Sequence, residues 1–167
     1  RGNPSMGDIL RSVAVLGAII LALFAVGQFF TITPDEPTRA VDYQAAAESS
    51  RKAATFELLA PWELPQGWRA TSVRFDDNSW LLGVVPDDDE YIGLEQVRAS
   101  VRRAVERFAE GSTPDGDAVV DGETWALHTG PRDDLTFARR DGDMAVVVTG
   151  TTTREVIERY ISSLSSS

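Results

Sequence analysis

The sequence predicts an α+β protein: an N-terminal transmembrane helix, then an antiparallel β-sheet domain with two amphipathic helices packed on one face. Three observations carry that expectation. Ser12 to Phe30 is an almost unbroken apolar run with no ionised side chain. Asp121-Gly122 and Asp141-Gly142 each sit between segments of strand character, and an Asp-Gly pair supplies the positive φ angles of a tight hairpin. Two later stretches repeat apolar residues at i, i+3 and i+4, the period of a helix with one buried face. Strands come in runs followed by helices, without alternating βαβ units, which points to an antiparallel sheet.

The run is long enough to span a bilayer, since about nineteen residues at about 1.5 Å each reach roughly 28 Å. In lipid the backbone must satisfy its own hydrogen bonds, so such a segment is stable there as a helix. Val13, Leu16, Ile19, Ile20, Leu23, Phe24, Phe29 and Phe30 are its anchoring side chains. Arg1 and Arg11 precede it, and Asp35 and Glu36 follow. The positive-inside bias therefore puts residues 1–11 in the cytoplasm and the rest outside the cytoplasmic membrane. A cleaved signal peptide is the competing reading, with Ala25-Val26-Gly27 as its site. Apolar character continuing through Phe29, Phe30 and Ile32 favours the anchor. Either way the domain is exported.

Beyond residue 30 lie 25 of the 26 acids and 14 of the 16 bases, a net charge of −11. That charge repels nucleic acid, so no nucleic-acid partner is expected. With no Cys in the chain there is no disulfide framework, no thiolate nucleophile and no lipid-modified cysteine. Residues 31–60 read as a linker and an Ala-rich helix, and residues 61–167 as the extracytoplasmic domain.

Pro34 and Pro37 mark the linker. Asp42 is placed to cap a helix from about Tyr43 to Ala54, whose alanines give propensity but little buried area. That helix is either packed on the domain or a free stalk. Leu64-Pro65-Gln66-Gly67-Trp68 reads as a fixed turn into a strand in which Thr71, Val73 and Phe75 share a face. Asp76 to Ser79 turns the chain into Trp80 to Val85. Pro86 to Asp89 turns it again into Tyr91 to Arg98, where Ile92, Leu94 and Gln96 share a face. Val101, Ala104, Val105, Phe108 and Ala109 then make a helical stripe, ended by Gly111. Four strands follow around the two Asp-Gly pairs. Thr152 with Glu155 has the spacing of a capping box for a last helix through Val156, Ile157, Tyr160, Ile161 and Leu164.

The N-terminal span, the Leu64 to Trp68 turn, the Asp121-Gly122-Glu123-Thr124-Trp125 hairpin and Val146-Val147-Val148-Thr149-Gly150 before a helix together resemble an actinobacterial family of single-pass membrane proteins of uncharacterised role, domain of unknown function 4245. The resemblance covers nearly the whole chain and implies membrane anchoring and export. It brings no catalytic residues.

Little chemistry is visible. His128 is the only histidine, on a strand and on the opposite face from Trp125, and no serine-nucleophile elbow accompanies it. Zinc would need ligands that are absent, and the acidic turns at Asp87 to Glu90 and at Asp115, Asp117 and Asp121 lack the spacing of an EF-hand loop. No cofactor or metal is expected. Four tryptophans are many for one domain, and Trp62, Trp68 and Trp80 are the candidate interface residues, the alternative being that they fill the core. Two readings follow. One is a non-catalytic module that holds the lipid bilayer through its helix and binds an envelope or membrane protein. The other is a small-ligand-binding or hydrolytic envelope protein acting on wall or lipid components, which requires a concave pocket with convergent polar groups.

Overall fold

The computed structural model describes residues 40–86 and 90–166. The predicted anchor residues between Val13 and Phe30, and the Asp87 to Asp89 turn, lie outside the described residues. Among the described residues no helix is long and apolar enough to cross a membrane. The described chain belongs to one compact unit, Thr38–Ser167.

Helix α1 spans Tyr43–Ala53, and the Asp42 carboxylate accepts from the Ala45 N–H at 3.0 Å, satisfying a donor the first turn leaves open. Tyr43, Ala47 and Ser50 are buried, so this helix packs on the domain and is not a stalk. Strand β1 (Ala60–Pro61) precedes a meander of β2 (Arg69–Asp76), β3 (Ser79–Val85) and β4 (Ile92–Val97). Helix α2 (Val101–Phe108) leads to a second meander of β5 (Thr113–Val120), β6 (Glu123–Thr129), β7 (Leu135–Asp141) and β8 (Met144–Gly150). Helix α3 (Arg154–Ser162) and strand β9 (Leu164–Ser165) complete the fold. The expected α+β architecture and its order of three strands, helix, four strands and helix are what the structure shows.

The two meanders join through their last strands, giving one antiparallel sheet in the order β2-β3-β4-β8-β7-β6-β5. Its outer strands are both irregular: β2 carries a bulge between Ala70 and Ser72, and β5 one between Pro114 and Asp117. The β2 bulge explains a detail of the pattern. It lets buried Ala70 share a face with Val73 and Phe75, although simple alternation would separate them.

The sequence predicts both amphipathic helices on one face of the sheet, but α2 and α3 pack on opposite faces. Trp80, Leu82, Val84, Ile92, Leu94, Phe137, Val146 and Val148 form the core of one face with α1 and with Ile157, Tyr160 and Ile161 of α3. Ala138, Ala145 and Val147 point the other way, against Ala104 and Val105 of α2 and the adjoining Ala109. The physical reason lies in β8, whose Met144 to Val148 are all buried: a strand apolar at every position needs cover on both sides.

Three local expectations shift as well. At the first hairpin Asp121 and Gly122 both adopt positive φ, as expected. At the second, Asp141 pairs with Met144, so Gly142-Asp143 form the turn, and Gly142 alone takes the positive φ. The last helix is capped at Thr153 without a side-chain bond, while Thr152 is buried, so no capping box forms. Leu164 leaves the helix for β9, which pairs with β1 and ties the C-terminal end to the segment before Trp62.

Candidate interaction surface

Residues 54–68 cross the first face as irregular chain, and specific bonds fix them. Gln96, fully buried on β4, accepts from the Leu59 N–H at 2.6 Å and donates to the Glu57 carbonyl at 3.0 Å. Ala60 and Pro61 pair with β9. Trp62 is then gripped from both sides: its N–H donates to the Ser163 carbonyl at 3.1 Å, and its carbonyl accepts from Gln44 Nε2 at 3.0 Å. The next turn closes with the Trp68 N–H donating to the Pro65 carbonyl at 3.0 Å, and Gly67 supplies the φ of +90° that the turn requires.

The result is an apolar ridge on a fixed backbone. Trp62 is 66 % exposed, the most exposed tryptophan, with Val41 also exposed nearby. On one side is a groove of about 360 Å³, lined by Leu64, Pro65, Trp68, Arg159, Tyr160 and Ser163. On the other is a more open depression of about 480 Å³, reaching Ala40, Val41, Tyr43 and Gln44. Trp68 is half-buried and stacks on Tyr160, with ring centroids 6.4 Å apart and planes 25° apart. The Tyr160 hydroxyl is buried without a hydrogen-bond partner, and burial pushes its pKa well above the usual phenol range. Burial also raises Tyr43.

The structure brings Trp62 and Trp68 together but not Trp80, which is fully enclosed in the core and offers no surface. Trp125 is buried too, with the Arg139 guanidinium 5.1 Å above its ring. His128 faces away from Trp125, as expected, into a cavity of about 380 Å³ beside α2 that also holds Ser112. Asp115 accepts from the Thr129 hydroxyl at 2.9 Å, a bond that runs from β5 to the neighbouring β6. No group of three or more potential metal ligands is assembled among the described residues.

One polar residue escaped the sequence reading. Glu95 lies on β4 between buried Leu94 and Gln96, on the same face as Val147, and burial raises its carboxyl to about 8. The signal was a charge inside a strand whose neighbours are all apolar or buried.

The family model for a protein of unknown function, DUF4245, matches residues 1–164. No curated protein and no solved structure matches this chain. With the match running from the first residue to the β9 strand, the chain belongs to the DUF4245 family.

Proposed function

We propose that this chain is a membrane-anchored extracytoplasmic module of the cell envelope, non-catalytic, whose Trp62 ridge binds an envelope or membrane protein. One observation carries the reading: a large aromatic side chain held out in solvent by hydrogen bonds on both sides of its own backbone, flanked by two depressions. Exposed tryptophan has no role in the core, and pre-ordering removes the entropy cost that weakens flexible contacts. The uncharged Ser12 to Phe30 run supports the anchor, and the flanking charges support export.

The test is crosslinking of intact membranes carrying either the wild-type chain or Trp62→Ala. The wild type should capture a defined protein and the variant should lose most of it, while the variant's stability stays within about 0.5 kcal/mol because the side chain is exposed. Equal capture by both chains, or recovery of the wild type only as a free monomer, defeats the proposal. Protease added to intact spheroplasts checks the topology, and a C-terminal part that resists it only until the membrane is broken reverses the orientation.

The second reading, small-ligand binding, gains support from a separate observation. The cavity around Glu95 is concave and gathers Ser72 and Arg74 from β2, Glu95 from β4 and Tyr91 from the residue before β4.

A further inference from the structure

The α2 face of the sheet is covered by that helix over β7 and β8, and the part formed by β2, β3 and β4 carries its own arrangement. Strand register defines two rows there. Ser72, Gly83 and Gly93 lie side by side in one, and Arg74, Leu81, Glu95 and Val147 in the next. Two adjacent glycines leave a trough with no Cβ atoms, and Tyr91 fills its length. A Cβ on Gly83 would stand 2.9 Å from the Tyr91 hydroxyl, and one on Gly93 would stand 3.2 Å from its ring. Tyr91 is itself located by its backbone, since its N–H donates to Thr151 Oγ1 at 2.9 Å and its carbonyl accepts from the Thr151 N–H at 3.0 Å.

Beside the ring lies the Glu95 carboxyl. Its Oε1 would be 2.6 Å from a Cβ on Gly93, and its Oε2 is buried with no hydrogen-bond partner. In-row neighbours Leu81 and Val147 are both apolar, and Glu95 makes no ion pair among the described residues. The Ser72 hydroxyl is hydrogen-bonded to Tyr91 and completes the wall of a cavity of about 230 Å³. An orphaned carboxyl oxygen, two further hydroxyl oxygens and a phenol ring are acceptors and a π face, the combination that complements a compact cation bearing N–H donors. A purely apolar ligand would leave Oε2 unpaired.

We propose that the Ser72, Tyr91 and Glu95 trough is a binding site for a small primary ammonium group, with Glu95 as counter-ion and Tyr91 as its aromatic wall. The groups facing Glu95 are the Tyr91 phenol and Arg74 at the cavity lining, with the Tyr160 phenol influenced from across the sheet. Burial keeps the free carboxyl protonated until about pH 8, so an arriving ammonium ion displaces a proton, and affinity rises from pH 6 to pH 8.

The test is calorimetry on the full chain in a mild non-ionic detergent, with n-butylammonium chloride as probe and 1-butanol as its neutral counterpart. Butylammonium should bind with release of a proton, about tenfold or more tightly at pH 8 than at pH 6. Glu95→Gln should abolish binding, and Tyr91→Phe, which keeps the ring, should weaken it only severalfold. The proposal is overturned by equal binding of 1-butanol, by an affinity independent of pH, by undiminished binding to Glu95→Gln, or by no heat at all. Should Glu95→Gln fold poorly, proton release by the wild type decides alone.

Discussion

Glu95 has Leu81 on one side and Val147 on the other, and its carboxyl is raised from 4.5 to about 8 by burial. The folded state therefore holds this proton more tightly than the unfolded one. The stability that Glu95 contributes is fully present below about pH 4.5 and is lost as the pH rises through about 8, at no more than about 1.4 kcal/mol per pH unit. Urea melts should show lower stability at pH 8 than at pH 5, and Glu95→Gln should flatten that dependence and gain about 1–3 kcal/mol at pH 8. Asp76 works in the opposite sense. The Asn78 N–H and the Ser79 hydroxyl hold its carboxyl below the usual range, so its contribution disappears as the pH falls. At this scale the sequence was uneven. Gln96 could be placed beside Ile92 and Leu94 by alternation alone, because period two is a property of the strand. Glu95 could not be recognised as half-buried with its Oε2 enclosed, since alternation assigns it to the second face and says nothing of what covers that face.

Whether an element forms is decided largely by near neighbours, whereas the side on which it packs is decided by distant ones. Both Asp-Gly signals marked true hairpins because turn geometry depends on two residues, and even there the second turn moved by one position. The choice of face for α2 and α3 depends on β4 meeting β8, a pairing about fifty residues apart that no local pattern encodes. The unbroken apolar Met144 to Val148 was the available hint. Contact between α3 and β8 also yields a prediction. A Cβ on Gly150 would lie 2.7 Å from Cδ1 and 2.9 Å from Cγ1 of Ile157, so Gly150→Ala should cost about 1–3 kcal/mol in urea unfolding through overpacking. Gly67→Ala tests the interaction surface instead. It meets open space but inherits a φ of +90°, so about 1 kcal/mol is lost to backbone strain, with a weakened Trp68–Tyr160 stack visible in tryptophan fluorescence.

For the molecule as a whole, α1, the β1–β9 pairing and the sheet belong to one compact unit, Thr38–Ser167. The bond from the Arg51 guanidinium to the Ser165 carbonyl at 3.1 Å links the helix that begins this unit to the strand that ends it. Residues 38–167 expressed alone should unfold in one cooperative transition, and two separated thermal transitions would show that the ends are not integral to the core. The candidate surface was half legible at this scale. Trp62 and Trp68 stood out as aromatics among prolines, but only tertiary structure reveals that Trp80 is interior and that α3 supplies the opposite wall of the groove.

The two outer strands carry a last implication. One is kinked at Thr71, and Ala70 already accepts a bond there from Val41; the other is broken around Pro114 and Gly116 and lined with Asp115 and Asp117. Neither rim presents a straight row of free amides and carbonyls on which a foreign backbone could zip. Recognition by β-augmentation, and the stacking into fibrils that shares its chemistry, are disfavoured together, so a partner of this domain has to read its side chains.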